Sequence, residues 1–276
     1  MVLRSQTEQF LSLLWGYMHK LTEILDTVAH PISDVAFVAK CKHTLETFGA
    51  LVLSDFLLPS ALDSIKQEGV EHQHKAYYAA NQHNVYLTQP DPAFEANHPR
   101  NRLVTSSKGC ITDEEIPADS ALRALYNATD FQDFLCAVLG EKKLYSYADS
   151  LSSINLHYAS QGQELGWHFD NSSFAITLLI QKPRSGGVFE YIEEMRDADK
   201  GEMNYSGVEQ LLNQHVVPKT LQIEPGDLVL FRGRNAIHRV TPTQGDITRM
   251  LVVLAYNAQP DIALSETARM TFYGRI

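Results

Sequence analysis

The sequence predicts an α+β fold, with a mainly helical first half and a β-rich second half that closes into a sandwich or barrel. Three observations carry this. Before about residue 143 the apolar residues recur mostly at helical spacing. From Leu144 to about Tyr256 they gather into short runs rich in β-branched and aromatic residues. Turn chemistry separates those runs, and no Gly/Ser/Pro-rich linker marks the change near residue 143. We therefore expect one compact domain, with residues 1–143 packed on a core formed by residues 144–276.

The elements follow in order. Phe10, Leu14, Tyr17, Leu21, Ile24 and Val28 predict an amphipathic first helix, suited to packing on the barrel or on a second subunit, which leaves a homodimer open. Ser33 or Asp34 can cap a second helix that ends near Gly49. Ala50 to Leu53 reads as a short strand. Pro59 to about His72 reads as a helix, with proline in its first turn. Thr129 and Gln132 form a capping box before a helix that stops at Gly140. Strands are expected at Ser152–Tyr158, Phe174–Ile180, Gly187–Ile192, Val216–Ile223, Asp227–Phe231, Ile237–Val240 and Thr248–Tyr256. Ser185-Gly186-Gly187, Glu224-Pro225-Gly226-Asp227 and Pro242 to Asp246 supply turns, the second with Pro and Gly placed for type II. Residues 193–214 are polar and interrupt the strands. They read as an insertion ending in a short helix, either a lid over a site or a solvated loop.

Composition narrows the function. The chain has 276 residues and a formal net charge of -10, so neither nucleic acid nor an anionic membrane is an expected partner. Three cysteines lie far apart with no CxxC, which suits a reducing compartment. The N-terminus lacks a signal-peptide layout, and its most apolar stretch, Phe10 to Met18, is too short to span a bilayer. The expectation is a cytoplasmic protein.

The chemistry concentrates in His168, Asp170, His238 and Arg249. Strand alternation lets His168 and Asp170 point the same way. Two imidazoles and a carboxylate on one face of Fe(II) leave three coordination positions free, the arrangement of non-haem iron oxygenases. Arg249 follows His238 across the Pro242–Asp246 turn, and a hairpin there would bring both side chains to one end of neighbouring strands. A guanidinium clamps a carboxylate through two parallel hydrogen bonds. A salt bridge to a protein carboxylate is the alternative for Arg249. His72, His74 and His83 form another histidine-rich stretch, read as surface polar residues because 72 and 74 do not share a helix face.

At these residues the sequence resembles the iron(II)/2-oxoglutarate-dependent oxygenases, in their prolyl-hydroxylase-like branch. The matching stretches are Ile154–Asp170 (INLHYASQGQELGWHFD), Ser185–Tyr191 (SGGVFEY) and Glu224–Met250 (EPGDLVLFRGRNAIHRVTPTQGDITRM). The resemblance implies a double-stranded β-helix, or jelly-roll, core. It implies iron on His168, Asp170 and His238, the distal carboxylate of 2-oxoglutarate on Arg249, and assistance to that cosubstrate from Tyr158. Cofactors would be Fe(II), 2-oxoglutarate and O2. A second resemblance extends upstream through His83–Asn101 (HNVYLTQPDPAFEANHPRN) to Arg102, and is to radical halogenases and hydroxylases acting on free amino acids. It makes Arg102 the candidate for the substrate carboxylate, with a plain surface arginine as the alternative. Halogenases of that family carry Gly where iron's carboxylate ligand would stand. Here Asp170 fills the position, which implies a hydroxylase. Leu165, Val253 and Ala255 stand where lysine-specific members use polar groups, implying a less polar substrate, or else simply fill the barrel. Asn171 can reach substrate or make a turn hydrogen bond; Trp167 reads as a wall residue. The expected activity is hydroxylation of a free amino acid or related small metabolite, with succinate and CO2 as co-products. Open alternatives are a protein-residue oxygenase, a desaturase or cyclase, and a non-catalytic metal-binding jelly roll.

Overall fold

A computed structural model describes residues 20–276. Seven helices are described: α1 (Leu21–Ile24), α2 (Val35–Phe48), α3 (Pro59–His72), α4 (Ala121–Asn127), α5 (Thr129–Leu139), α6 (Tyr205–Leu212) and α7 (Glu266–Tyr273). The strands are β1 (Ala50–Leu53), β2 (Tyr77–Asn84), β3 (Leu103–Ile111), β4 (Ile154–Ala159), β5 (Leu165–His168), β6 (Ala175–Gln181) and β7 (Ser185–Gly186). They continue as β8 (Phe189–Ile192), β9 (Lys219–Leu221), β10 (Leu228–Phe231), β11 (Ile237–Val240), β12 (Thr243–Gln244) and β13 (Arg249–Leu254).

The strands form a major sheet in the order β1-β10-β6-β13-β4-β3-β2 and a minor sheet in the order β5-β11-β8-β9, with β12 and β7 paired separately. All the pairings are antiparallel. Alternation divides the major sheet into two faces. Leu156, Tyr158, Met250 and Val252 turn outward into the largest apolar cluster, against helix residues such as Leu45, Ile65, Phe131 and Phe134. Each such side chain contributes about 1.5–3 kcal/mol through removal from water. Asn155, His157, Arg249, Leu251 and Val253 occupy the opposite, inner face by the β4–β13 register. On that face Leu251, together with Phe189 and Leu221 of the minor sheet, packs against the cluster of Leu179, Ile223 and Val229. The two sheets thus enclose an interior, and the helices back one of them.

Several local expectations hold. Asp34 caps α2 by accepting from the Phe37 amide at 2.8 Å, and Gly49 closes it. Proline stands in the first turn of α3. Others do not. Phe10, Leu14 and Tyr17 of the first predicted helix lie outside the described residues. Its later part is one turn only, because the Asp26 carboxylate accepts from the amides of Val28 and Ala29 and turns the chain. Val28 is exposed. The N-cap of α5 is Ala128, and Gln132 donates to the Tyr126 carbonyl instead of completing a capping box. The β2–β3 hairpin lies within the stretch expected to be helical. With β1 it adds three strands to the major sheet, so residue 143 marks no boundary in the sheets. Residues 77–84 (YYAANQHN) lack apolar alternation, because β2 is an edge strand whose burial is slight.

The insertion is a packed element. Met195, Val208, Leu211 and Leu212 join Val85, Trp167, Phe169 and Ile237 in a second apolar cluster. Trp167 and Ile237 alternate with His168 and His238 along their strands, so this cluster backs the minor sheet on its outer face.

Tyr158 belongs to the helix side. It is fully buried, and its hydroxyl donates to the Gly69 carbonyl of α3 at 2.7 Å. Tyr158→Phe should therefore lower unfolding free energy by about 1 kcal/mol in denaturant titration, with 2-oxoglutarate affinity unchanged. A selective loss of 2-oxoglutarate binding would put the hydroxyl in the site instead.

Candidate metal centre

β5 and β11 pair so that His238 stands opposite His168. Both imidazoles turn to the interior with ring centroids 4.1 Å apart. Asp170 lies just past the end of β5, where its amide donates to the Gly233 carbonyl at 3.0 Å. Its Oδ1 is 3.6 Å from Nε2 of His168 and 3.5 Å from Nε2 of His238. One ligand atom from each of the three side chains lies within 4.8 Å of the others, and no second such group exists among the described residues.

The local hydrogen bonds choose the ligand atoms. Nδ1 of His168 bonds to the Gly166 carbonyl at 2.8 Å, and Nδ1 of His238 to the Ala236 carbonyl at 3.0 Å. Each carbonyl belongs to the residue two positions upstream. A carbonyl only accepts, so each Nδ1 carries the proton and each Nε2 keeps its lone pair toward the cluster. Burial, together with the neighbouring His238, holds His168 below its ordinary pKa, which keeps it neutral and able to ligate.

The donor set fits a divalent iron. Oδ2 of Asp170 is buried and has no hydrogen-bond partner. Burial works against the carboxylate's charge; positive charge on His238 and His168 is what holds Asp170 well below the usual carboxylate range, and with both imidazoles neutral a bound cation has to supply that charge instead. A buried, ionised and half-unpartnered carboxylate beside two Nε2 lone pairs is a cation site by its chemistry. Gly233 makes room for it. A Cβ there would stand 1.8 Å from Oδ2 of Asp170 and 2.9 Å from Cε1 of His238.

Arg249 is buried on the inner face of β13. Burial alone pulls its guanidinium down to about 10, and no carboxylate acts on it among the described residues. The protein salt bridge held open as an alternative is therefore absent among those residues. Gly187, in the predicted Gly-Gly turn at positive φ, lies against this side chain; a Cβ there would be 3.0 Å from Cδ of Arg249. The expected hairpin between His238 and Arg249 does not form. β11 pairs with β5 and β8, whereas β13 pairs with β4 and β6. The chain crosses between sheets there, and the two residues face each other across the interior.

The other expected site residues divide. Val253 occupies the inner face, in register with Asn155 and Thr177. Asn171 is exposed, and its carbonyl accepts from Arg234 at 3.3 Å. Tyr158 faces the helices, so it does not reach the interior to assist a cosubstrate. Arg102 donates to the Leu212 carbonyl at 3.1 Å and to Oδ1 of Asn213 at 2.6 Å, tying the insertion to β3. Its guanidinium is engaged by the chain rather than held for a substrate carboxylate. Two residues earlier, Nη1 of Arg100 is buried with no partner. Trp167 is on the outer face, with the Arg239 guanidinium 4.8 Å from its ring. Sequence reasoning missed Arg196. Its guanidinium lies 4.1 Å from the Phe169 ring and donates to the Arg234 carbonyl at 2.8 Å. It also missed Lys108 and His157, which share the inner face near Arg249; strand alternation would have found them once β3 and β4 were in register.

The fold is that of solved 2OG-Fe(II) oxygenases, and His168, Asp170 and His238 make a donor set suited to iron. The family model described as halogenase D matches residues 36–272, and the chain belongs to that family. Among solved structures, the chain is similar to the carbocyclase SnoK from nogalamycin biosynthesis, at 10% identity over 86% of this chain and 92% of that one, TM-score 0.55. It is similar to a prolyl hydroxylase from Trichoplax adhaerens, at 13% identity over 80% and 89%, TM-score 0.52. It is also similar to an oxidoreductase of the 2OG-Fe(II) oxygenase family from Burkholderia pseudomallei, at 12% over 82% and 92%, TM-score 0.51. What is shared at such identities is the fold. No curated protein matches the sequence. Among the described residues no helix is long and apolar enough to cross a membrane.

Gly233→Ala should leave the far-ultraviolet spectrum unchanged but weaken anaerobic Fe(II) binding by about tenfold or more, the effect of about 1.4 kcal/mol at the ligand. Unaltered affinity would show that Asp170 has space to spare.

Proposed function

We propose that the protein hydroxylates an unactivated C–H bond of a free amino acid or related small metabolite. The observation that supports this reading best is Asp170. The family is described by halogenation, and a halogenase leaves the third protein position on iron empty for chloride. In this chain that position holds a carboxylate whose Oδ1 is within 3.6 Å of both Nε2 atoms.

Bound iron, 2-oxoglutarate and O2 supply the oxidant, with succinate and CO2 as co-products. The chain's own residues hold and enclose. His168, Asp170 and His238 would occupy one face of the metal and leave the opposite face to cosubstrate and O2. Their orientation is set beforehand by the Gly166, Ala236 and Gly233 carbonyls. Arg249 would hold the distal carboxylate of 2-oxoglutarate, the anion that its buried and unpaired guanidinium lacks. Leu251 and Val253 beside it present apolar surface that keeps water from the reacting carbon.

A small substrate is favoured by the upstream resemblance over His83–Asn101. Arg102 is engaged by Leu212 and Asn213, so a substrate carboxylate would have to displace those partners to reach it. Leu165 and Val253 favour a side chain less polar than lysine.

A panel of free amino acids and peptides, assayed by mass for one added oxygen, tests the substrate class. Turnover of peptides alone would move the reading to a protein-residue oxygenase. In excess chloride the wild-type enzyme should give hydroxylated and no chlorinated product; chlorination would overturn the role assigned to Asp170. Asp170→Ala should lose Fe(II) binding and turnover together. Arg249→Ala should weaken 2-oxoglutarate binding by about tenfold or more, the worth of a charge-assisted pair, and unchanged binding would place the clamp elsewhere.

A further inference from the structure

Beside Arg249 the interior holds two more basic groups that the reading above leaves without a task. β3 pairs with β4 at Gly109↔Tyr158 and Cys110↔His157. One further step of that register puts Lys108 opposite Ala159, and Ala159 is itself opposite Arg249 on β13. Lys108, Ala159 and Arg249 therefore form a row across three adjacent strands on the inner face. Its ends are about 10 Å apart, two strand spacings. The middle member is a single methyl group, so the row is a shallow floor with a long cationic side chain at each end. His157 is one pair along, and Nζ of Lys108 lies 3.1 Å from both of its ring nitrogens. Whichever nitrogen is unprotonated accepts from the ammonium.

Among the described residues no acid balances this cluster. The charges acting on His157 are those of Lys108 and Arg249, and Cys110 is what acts on Lys108; none is a carboxylate. Burial weakens both groups' hold on a proton. Arg249 is buried and Lys108 and His157 are half-buried; cations so withdrawn from water with no counter-ion cost free energy unless an anion arrives.

We propose that Lys108, steadied by His157, is the second cation for the distal carboxylate of 2-oxoglutarate, which lies over Ala159 between it and Arg249. This rests on the reading of Arg249 as the cosubstrate clamp. Lys108 then has the place that Tyr158 would take if its strand faced the other way. A carboxylate held from both ends fixes the reach between the anion and the metal-chelating end. The site should therefore select a dicarboxylic 2-oxo acid strongly over a monocarboxylic one of equal length.

The test is anaerobic titration of the Fe(II)-loaded protein with 2-oxoglutarate and with 2-oxovalerate, which keeps the chelating end and chain length but lacks the distal carboxylate. The readout is the ratio of the two dissociation constants from the visible charge-transfer band, with Fe(II) affinity measured separately. In Lys108→Met the preference for 2-oxoglutarate should collapse by about tenfold or more, with 2-oxovalerate and Fe(II) binding unchanged. Should that variant fail to fold, Lys108→Arg, which keeps the charge but displaces it, should reduce the same ratio. Ala159→Leu, which fills the floor, should weaken 2-oxoglutarate more than 2-oxovalerate. A ratio unaltered by Lys108→Met or Lys108→Arg, but lost in Arg249→Ala, overturns the role of Lys108 and leaves the clamp standing. Loss of substrate affinity with an unchanged ratio overturns it too, and assigns Lys108 to the substrate. If wild-type protein binds Fe(II) but shows no preference for 2-oxoglutarate, the clamp reading fails and this inference with it.

Discussion

The structure depends on one uncompensated contact, the Asp170 carboxylate placed between two imidazoles with one oxygen left without a partner. An ionised carboxylate in such surroundings is costly unless a cation joins it. Each neighbouring feature serves to keep it there. The Asp170 amide is anchored on Gly233, which is glycine because a methyl group would collide with Oδ2. Each imidazole is turned by a carbonyl two residues upstream, so the same local device operates on two strands of the minor sheet. The ligand atoms converge because β5 and β11 pair in a register that sets His168 opposite His238.

A second constraint is the separation of faces on the major sheet. Along β4 and β13, alternate residues serve different purposes. Tyr158, Met250 and Val252 carry the packing of the helices, while His157, Arg249 and Leu251 carry the polar interior. A slip of one residue would exchange the two sets and destroy both. This explains why Arg249 tolerates burial. The helix layer supplies stability on one face, which frees the other to keep an unpaired charge.

Much of this was legible in the sequence where short-range chemistry decides the outcome. Asp34 and Gly49 bound α2, Pro59 opens α3, and Ile237–Val240 is a strand to the residue. The metal set was legible because its residue types and order admit few other uses. What escaped depends on long-range pairing. β2 and β3 lack apolar alternation, so nothing local distinguished them from loop or helix. The inward side of β4 was assigned to Tyr158 through resemblance, whereas the register with β13 turns His157 inward. Arg102 was chosen for its place in a motif, and its partners at Leu212 and Asn213 are more than a hundred positions away. The hairpin expected between His238 and Arg249 failed because a turn of that composition also serves a crossing between two sheets.

The insertion's apolar cluster contains Trp167 and Phe169, the chain neighbours of His168 on either side, and Ile237, the neighbour of His238. The helix thus presses on the reverse of the strands that present the imidazoles. It works as a splint more than a cover. A splint of this kind ties metal retention to the integrity of one peripheral segment, because local opening there loosens the backbone under both ligands before the domain as a whole unfolds. Lengthening or reshaping residues 193–214 to admit another substrate would then disturb the iron centre from behind, and relatives that vary this segment would need compensating changes at Trp167, Phe169 or Ile237.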